Sequence, residues 1–401
     1  MDFDMDSLKQ SVRNDRMTLL SDLVNIAQTP APTFDERDRA DLMERRFREE
    51  GADQVRRDPE GNVVAQIKRR DVPAVCLVAH LDTVFDRSVK HSVRIDDRKI
   101  TGPSVGDDSL GLATLLSAMR LLPVEKIGHL ICVATTGTEG DGNLRGSRYF
   151  VEHCRSSIDF CYCLEGHRLG RIDHWSMGNN RIRISTESRG GHIWRDRDKT
   201  GKNPIEVIGE LVTRLQDVKE EFMENGSEEN FLNFGMVEGG TAYNTVPYES
   251  ELNVEIRSSS SENLERMFER IFDEVKTISQ STDVDITVQE VTRRPVSGID
   301  EDHWLVESME DIHETLDLPS RKGPASSDSC VFLNEGIPSL TLGLARGDHK
   351  HRANESLEVE SIPDGQLQVL SGVLATRDAE PDNPERDAGS EPEEPPKASR
   401  P

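Results

Sequence analysis

The chain has 401 residues, of which 34% are hydrophobic and 31% are charged, and its formal net charge is −26. A chain of this length exceeds what one hydrophobic core usually serves, so two domains are expected. The negative charge favours a well-hydrated protein and excludes nucleic-acid binders that depend on a basic surface. Salt adaptation and simple solubility explain the acidity equally well.

The N-terminal segment MDFDMDSLKQ is acidic and lacks an apolar core. It therefore has the features of neither a signal peptide nor a transit peptide, and we expect a cytoplasmic protein. The longest apolar runs, such as VPAVCLVA, are far shorter than the roughly 20 residues that span a bilayer. No transmembrane helix and no membrane partner are expected.

Residues 1–177 alternate strand patterns with helical patterns. Helical patterning from about Ser7 to Gln28 is followed by the strand-like runs NVVAQI, AVCLVAH, HLICVAT and DFCYCLE. The helical stretches SLGLATLLSAMRLL and GSRYFVEHC lie between them. This alternation predicts an α/β fold with a mixed, mostly parallel sheet and helices on both faces.

Residues 178–292 follow a different order of elements. A strand NRIRISTES, a helix from near Pro204, the strands NFGMVEGG and SELNVEIRS, a helix near Glu262 and a strand VDITVQEV give the order β-α-β-β-α-β. That order predicts an inserted ferredoxin-like α+β domain. Both helices carry apolar residues at helical spacing, which predicts that they pack on the sheet of this domain.

The α/β pattern returns over residues 293–376. Helices are predicted from Asp302 to Leu316, near Ser327 and from Pro363, together with a strand SLTLGL. Residues 1–177 and 293–376 are therefore expected to form one domain that the insert interrupts. Residues 377–401 are rich in proline and acidic residues and nearly devoid of large apolar ones, which predicts a disordered tail.

Candidate metal ligands cluster where predicted strands end. Open α/β sheets place their ligands at the carboxyl ends of strands. The candidates are His80 and Asp82 in AHLDTVF, Asp107 and Asp108 in GPSVGDDSLG, Glu139 in TGTEGDG, Glu165 in CLEGH, and His349 and His351 in GDHKHRANE. Each residue alone has a structural explanation, such as hydrogen bonding at a strand end or helix capping. These candidates lie at five places in the sequence. Their convergence on one sheet edge favours a metal site, and five ligands suit two ions such as zinc better than one.

The glycine-rich stretch GDGNLRG invites a rival interpretation as a dinucleotide-binding loop. It follows a predicted strand and precedes a predicted helix. Its spacing is GxGxxxG rather than GxGxxG, and its strand is not the first of the chain. We therefore interpret the turn as the mount for Glu139, with glycines that allow a tight reversal.

A family resemblance extends over nearly the whole chain up to Thr376. The motifs that carry it are AHLDTVF, GPSVGDDSLGLA, TGTEGDGNLRGSR, CLEGHRLGRI, RGGH, EGGTAYNTVPYESELNVEIRS, ASSDSCVF and HKHRANESLEV. In their order and spacing, the sequence resembles the zinc-dependent metallopeptidases and amidohydrolases. That family includes peptidase T, glutamate carboxypeptidase, acetylornithine deacetylase, succinyl-diaminopimelate desuccinylase and aminoacylase.

The resemblance implies a set of metal ligands and two zinc ions per chain, with cobalt or manganese as substitutes. His80 and Glu165 would bind one ion, Glu139 and His351 the other, and Asp107 would bridge them. Asp82 would hold the imidazole of His80 in its binding tautomer.

The resemblance also implies that the inserted domain is a lid and a dimerisation module. His192 of RGGH would then reach the active site of the partner subunit in a homodimer and stabilise a developing oxyanion. Asn244 and Arg257 would hold the carboxylate or carbonyl of the substrate. Judged without the resemblance, His192 and Arg257 also fit ordinary surface hydrogen bonding.

The sequence departs from the family at Thr138. The family usually has two adjacent glutamates here, of which the second binds metal and the first is the general base. A threonine hydroxyl is not a base near neutral pH, and losing a positioned acid-base group typically costs about 10²–10⁴-fold in rate. Asp141 and Asp108 are candidate substitutes. Glu165 also differs, because the family commonly has aspartate at this position.

Two functions therefore stay open. The first is a metal-dependent hydrolase that cleaves an amide bond in a small peptide or an N-acyl amino acid, as an exopeptidase or a deacylase. The second is a catalytically impaired relative that binds peptides or amino-acid derivatives without efficient hydrolysis. The predicted ligand set supports the first, and Thr138 supports the second.

Overall fold

The computed structural model describes residues 4–69, 74–123, 127–223 and 229–378. The chain divides into two compact units. One contains the described residues up to Trp175 and from Gly298 onward, and the other is Ser176–Ser297. The insert predicted at 178–292 falls inside the second unit. From residue 379 onward, the predicted tail lies outside the described residues.

Helices of the first unit come from both ends of the chain. They are α1 (Met5–Ala27), α2 (Arg37–Glu49), α3 (Ser109–Leu121), α4 (Arg145–Cys154), and, beyond the second unit, α7 (Trp304–Thr315), α8 (Ser329–Asn334) and α9 (Ile362–Ala375). Within the described part of the chain, no helix combines the length and the apolar character needed to cross a membrane.

The strands of the first unit, including two that end at its border, form a large sheet and a small one. They are β1 (Gln54–Arg57), β2 (Val63–Lys68), β3 (Val75–His80), β4 (Arg94–Ile95), β5 (Lys99–Thr101), β6 (His129–Thr135), β7 (Phe160–Glu165), β8 (Arg171–Ser176), β15 (Ser297–Gly298), β16 (Arg321–Ala325), β17 (Ser339–Gly343), β18 (Gly347–Asp348) and β19 (Ser356–Glu358). The large sheet has the order β1-β2-β6-β3-β7-β17-β8-β15, and β16 pairs with β8.

Parallel pairing dominates the centre of the large sheet. Strands β6, β3, β7 and β17 run parallel, whereas β2 and β8 pair antiparallel at either side. The four parallel strands end at Thr135, His80, Glu165 and Gly343, so their carboxyl ends meet at one edge. The prediction of a mixed, mostly parallel sheet is confirmed.

Both faces of the four central strands are buried, and successive side chains of each strand pack into cores on opposite faces. On β3, Leu77 belongs to a core cluster that includes Leu112 of α3. Its neighbour Cys76 belongs to a second cluster that includes Phe150 of α4. The helices therefore cover the sheet on both sides, which leaves its carboxyl edge as the place for polar side chains.

The second unit has the ferredoxin-like arrangement that the order of elements predicted. Its elements are β9 (Gly178–Glu187), β10 (Gly191–His192), α5 (Pro204–Met223), β11 (Asn230–Gly239), β12 (Thr245–Val246), β13 (Glu249–Ser258), α6 (Ser261–Ser281) and β14 (Asp285–Arg294). Four strands pair antiparallel in the order β11-β13-β9-β14, and β10 pairs with β12. Apolar residues of both helices, such as Leu215 and Ile271, share one core with Ile184 of the sheet.

Candidate metal centre

The five predicted ligands come from five places along the chain that converge at the carboxyl edge of the large sheet. His80 and Glu165 are the last residues of β3 and β7. Asp107 precedes α3, Glu139 follows β6, and His351 follows β18. His349, the other histidine of GDHKHRANE, is exposed and belongs to neither of the ligand groups described next.

Two groups of three residues bring their possible ligand atoms within 4.8 Å of one another. We call His80, Asp107 and Glu165 the inner trio, and Asp107, Glu139 and His351 the outer trio. Asp107 belongs to both. Its Oδ1 lies 3.2 Å from His80 Nε2, whereas its Oδ2 lies 2.7 Å from His351 Nε2. The two oxygens of one carboxylate therefore face the imidazoles of different trios, which is the arrangement that a bridging ligand requires.

Asp82 orients His80 through its backbone. His80 Nδ1 lies 2.9 Å from the Asp82 carbonyl oxygen, which can only accept, so Nδ1 carries a proton and Nε2 is the nitrogen available to a metal ion. The Asp82 carboxylate is farther from Nδ1, at 3.7 Å. It accepts hydrogen bonds from the backbone N–H groups of Thr138, at 2.9 Å, and Glu139, at 2.8 Å. The sequence interpretation expected Asp82 to hold the imidazole, and the side chain also holds the turn that carries Glu139.

The glycine-rich turn after β6 reverses the chain over a very short distance. Gly137 has a φ of +62°, and a Cβ on Gly142 would lie 2.6 Å from the backbone of Gly137. The backbone N–H groups of Thr138 and Glu139 are used by Asp82, and that of Gly142 donates to the Glu139 carbonyl. A dinucleotide phosphate needs such amides free. The geometry therefore fits the mount for Glu139 and not a phosphate-binding loop.

Thr138 directs its hydroxyl at a buried carboxylate. Thr138 Oγ1 lies 3.1 Å from both side-chain oxygens of Asp328, the residue before α8. Asp328 also accepts hydrogen bonds from Ser147, at 2.6 Å, and Thr135, at 3.3 Å. The sequence interpretation assigned no role to Asp328, although its motif ASSDSCVF contributed to the resemblance.

The two candidate substitute bases have other surroundings. Asp108 caps α3, since its Oδ1 accepts from the Gly111 N–H at 3.1 Å, and its Oδ2 accepts from the His80 N–H at the same distance. Asp141 is exposed on the short 3₁₀ turn Gly140–Gly142. Asp108 is thus engaged in holding the backbone.

Lys350 brings a positive charge to the site, and sequence reasoning did not find it. Its Nζ lies 2.9 Å from Glu165 Oε2 and 3.3 Å from Asp107 Oδ1. Burial would raise the pKa of Asp107, but the charge of Lys350 and hydrogen bonds from His351 and His80 outweigh burial and hold that pKa well below its usual range. Hydrogen bonds to Asp107 and Glu139 raise the pKa of His351 to about 10. The Asp107 carboxylate is therefore ionised and attracts cations.

Glu355 is a third residue without a predicted role. Its Oε1 accepts hydrogen bonds from the backbone N–H groups of Gly106, at 3.2 Å, and Asp107, at 3.0 Å. The same oxygen lies 2.5 Å from His167 Nε2. Glu355 thus fixes the backbone of Asp107, the residue common to both trios, and the motif HKHRANESLEV contained the only sequence signal for it.

The remaining predicted site residues lie in the second unit. His192 is in β10, and its Nε2 lies 3.2 Å from Asn244 Nδ2. Arg257 is in β13, where its Nε lies 2.7 Å from Glu255 Oε1. The structure therefore brings His192 and Asn244 together, whereas Arg257 forms an ion pair within its own strand.

Comparison with known proteins identifies the family. Residues 76–374 match peptidase family M20/M25/M40, and the chain belongs to this family. Acetylornithine deacetylase of Photorhabdus laumondii subsp. laumondii is 26% identical over 302 residues, which cover 71% of this chain and 75% of the relative. The family hydrolyses amide bonds in peptides or acyl amino acids and depends on metal. The resemblance predicted from the motifs is confirmed.

Solved structures show the same fold. A tripeptidase of Staphylococcus aureus superimposes with a TM-score of 0.74 at 22% identity, covering 90% of this chain and 98% of its own. A dinuclear metal-binding peptidase from the M20 family of Bacillus subtilis superimposes with a TM-score of 0.66 at 15% identity, covering 91% of this chain and 99% of its own.

Proposed function

We propose that the protein is a metal-dependent hydrolase that cleaves an amide bond in a small peptide or an N-acyl amino acid at a two-zinc centre. The observation that carries this proposal is the position of Asp107, whose two oxygens face His80 and His351. A single ion would need only one of these faces. Two ions that share a carboxylate use both.

The residues present fit a pair of borderline divalent ions. Each trio offers one imidazole nitrogen and two carboxylates, a donor set that suits zinc and also admits cobalt or manganese. His80 and Glu165 would hold one ion, Glu139 and His351 would hold the other, and Asp107 would belong to both. Glu355 and Asp82 support the fit, because they fix the backbones of Asp107 and Glu139.

The bound ions supply Lewis acidity, which polarises a carbonyl group and lowers the pKa of water. The protein chain positions the residues that would hold the ions. Asp82 sets the tautomer of His80 through its carbonyl and anchors Glu139 through its carboxylate, so both ligands are held by one residue. Such pre-organisation keeps the reacting groups in one geometry throughout the reaction.

The second unit would serve as lid and dimerisation module and supply donors for the substrate. Its own hydrophobic core supports an independent role. His192 and Asn244 are in contact and partly or fully exposed, as donors for an oxyanion or a substrate carbonyl should be. Arg257 would bind a substrate carboxylate, which would replace Glu255 as the partner of its guanidinium group.

Thr138 favours a second candidate, a protein that binds peptides or amino-acid derivatives without efficient hydrolysis. Its hydroxyl occupies the position where the family usually has the general base, and hydroxyls accept protons poorly near neutral pH. In this case the ligand set would serve to bind the carbonyl or carboxylate of a ligand.

One experiment separates the two candidates. The full chain, loaded in turn with zinc, cobalt and manganese, is assayed on dipeptides, tripeptides and N-acyl amino acids with and without a chelator. Glu139→Ala and Thr138→Glu are assayed in parallel. The hydrolase proposal expects turnover that chelation and Glu139→Ala abolish. Turnover in Thr138→Glu alone, with saturable ligand binding by the wild type, would instead assign the binding role.

A further inference from the structure

Asp328 is a buried carboxyl group whose hydrogen-bond donors are hydroxyls. Asp328 is 3% exposed, and its carboxyl group accepts hydrogen bonds from the hydroxyls of Ser147, Thr138 and Thr135. A buried carboxylate without water around it is costly, and protonation removes that cost. Burial raises the pKa of Asp328, despite the attraction of His80 and the hydrogen bond from Ser147. The group is therefore suited to take up and release a proton.

The Thr138 hydroxyl binds this carboxyl group, and Thr138 directly precedes the candidate ligand Glu139. A hydroxyl has one proton to donate and two lone pairs that accept. The proton of Thr138 Oγ1 is directed at Asp328, at 3.1 Å from each oxygen. The oxygen can then only accept from a further partner, and a water molecule is a suitable donor.

The position of Thr138 beside the ligands is fixed. Thr138 immediately precedes Glu139, and the backbone N–H groups of both residues bind the Asp82 carboxylate. Thr138 is partly buried. Its side chain contacts the buried Asp328, and the next residue in the chain is the partly exposed Glu139. A proton that enters at Thr138 Oγ1 therefore has a short path to Asp328.

We propose that Asp328, acting through the Thr138 hydroxyl, accepts and returns the proton that the first of two adjacent glutamates handles in the family pattern. This inference rests on the proposed amide hydrolysis. Asp328 is a positioning and proton-storing residue, since only Thr138 would touch the reacting water.

The proton balance of the step is complete without a further reagent. An O–H bond of the attacking water breaks, its proton binds Thr138 Oγ1, and the original hydroxyl proton of Thr138 moves to Asp328. The oxygen of the water forms a bond to the substrate carbonyl carbon, whose π electrons move to the carbonyl oxygen. When the C–N bond breaks, the proton of Asp328 returns through Thr138 to the amine nitrogen.

The test uses variants of both residues in the metal-loaded full chain. Asp328→Asn keeps the size and can still accept the Thr138 hydrogen bond, but it takes up no proton. We expect kcat to fall by about 10²–10³-fold, within the range of a lost acid-base group, with KM changed less than about threefold. Thr138→Val should have the same effect, and Thr138→Ser should restore kcat to within about tenfold of the wild type.

Two further measurements distinguish proton transfer from simple support of the fold. Because the two residues act in one path, Thr138→Val with Asp328→Asn should be no slower than either single variant. Because a glutamate would supply its own carboxylate, Thr138→Glu in the Asp328→Asn background should regain at least about tenfold in kcat over Asp328→Asn alone.

Asp159→Asn is the matched control. Asp159 is 1% exposed and precedes β7, at the end opposite Glu165, where its carboxylate accepts from the Ala74 N–H at 2.6 Å. This substitution makes the same change in a buried aspartate away from the metal centre and should leave kcat within about twofold. Metal content per chain is measured on every sample.

The outcomes are distinguishable. If the wild type turns over and Asp328→Asn keeps kcat within about threefold at full metal content, the role of Asp328 is overturned and the hydrolase proposal stands. The role of Asp328 is also overturned if the losses in kcat add up in the double variant Thr138→Val with Asp328→Asn. It is likewise overturned if Thr138→Glu does not restore kcat in the Asp328→Asn background. If the wild type has no metal-dependent turnover, both proposals fail. If Asp328→Asn does not fold, the contrast between Thr138→Val and Thr138→Ser decides.

Discussion

The inner and outer trios share Asp107 but differ in how far the protein encloses them. The side chains of His80 and Glu165 are 1% and 8% exposed, whereas those of Glu139 and His351 are 18% and 46% exposed. The inner ligands end strands of the central sheet, and the outer ligands lie on turns. The core therefore fixes the inner half of the candidate centre, whereas the outer half depends on loop conformation.

The turn after β18 joins the two halves. His349 and His351 both have a φ of 64°, an uncommon value for residues other than glycine. Between them, Lys350 reaches Glu165 of the inner trio, while His351 reaches Asp107 and Glu139 of the outer trio. Uncommon backbone conformations persist where the surrounding structure enforces them, and they often mark functional sites. A strained turn thus supplies both a candidate ligand and a cation.

The largest effect is expected from Asp107→Ala, which would remove what the trios share. If both depend on this carboxylate, the number of bound ions should fall from two to none, and amide hydrolysis should fall by more than about 100-fold, the upper range for partners outside the ligand set. Equilibrium dialysis with metal analysis measures the ions. One tightly retained ion would mean that the trios bind independently.

An intermediate effect is expected from His80→Ala compared with His351→Ala. Each variant should retain one ion, but the costs in folding free energy should differ. Loss of the buried imidazole leaves the Asp82 carbonyl without its donor and should cost about 1–3 kcal/mol. Loss of the half-exposed His351 should cost at most about 1 kcal/mol. Urea denaturation of chelator-treated protein measures both, and equal costs would contradict the distinction between the trios.

The smallest effect is expected from Lys350→Met, which removes the ammonium group near the inner trio. Without this competing cation, the affinity of the inner trio for zinc should rise by about tenfold, the order of magnitude of one repulsion between neighbouring unit charges. Lys99→Met is the control, because Lys99 pairs with the exposed Asp348, at 3.2 Å, and belongs to neither trio. Competition with a chromogenic chelator measures the affinity. An unchanged or lower value would show that Lys350 does not compete with the ion.

The positions of the candidate ligands were accessible from the sequence because strand endings are a local signal. Apolar runs that stop at His80 and Glu165 mark the carboxyl edge of a parallel sheet, and the structure places both residues there. The motifs around Asp107, Glu139 and His351 supplied the rest. The partners of those residues were not accessible. Two hydrogen bonds at the site join residues that are far apart in the sequence. Thr138 and Asp328 are separated by 190 residues, and Asp107 and Glu355 by 248.

The sequence by itself determined the order of the elements, the interruption of one domain by another, the family and the candidate ligands, because periodicity and motif spacing are properties of short segments. Only the tertiary structure decided that the oxygens of Asp107 face two histidines, that Lys350 enters the inner trio and that Thr138 points at Asp328. Those contacts depend on how distant segments pack and on the burial that sets the cost of each charge, and neither is encoded in any one segment.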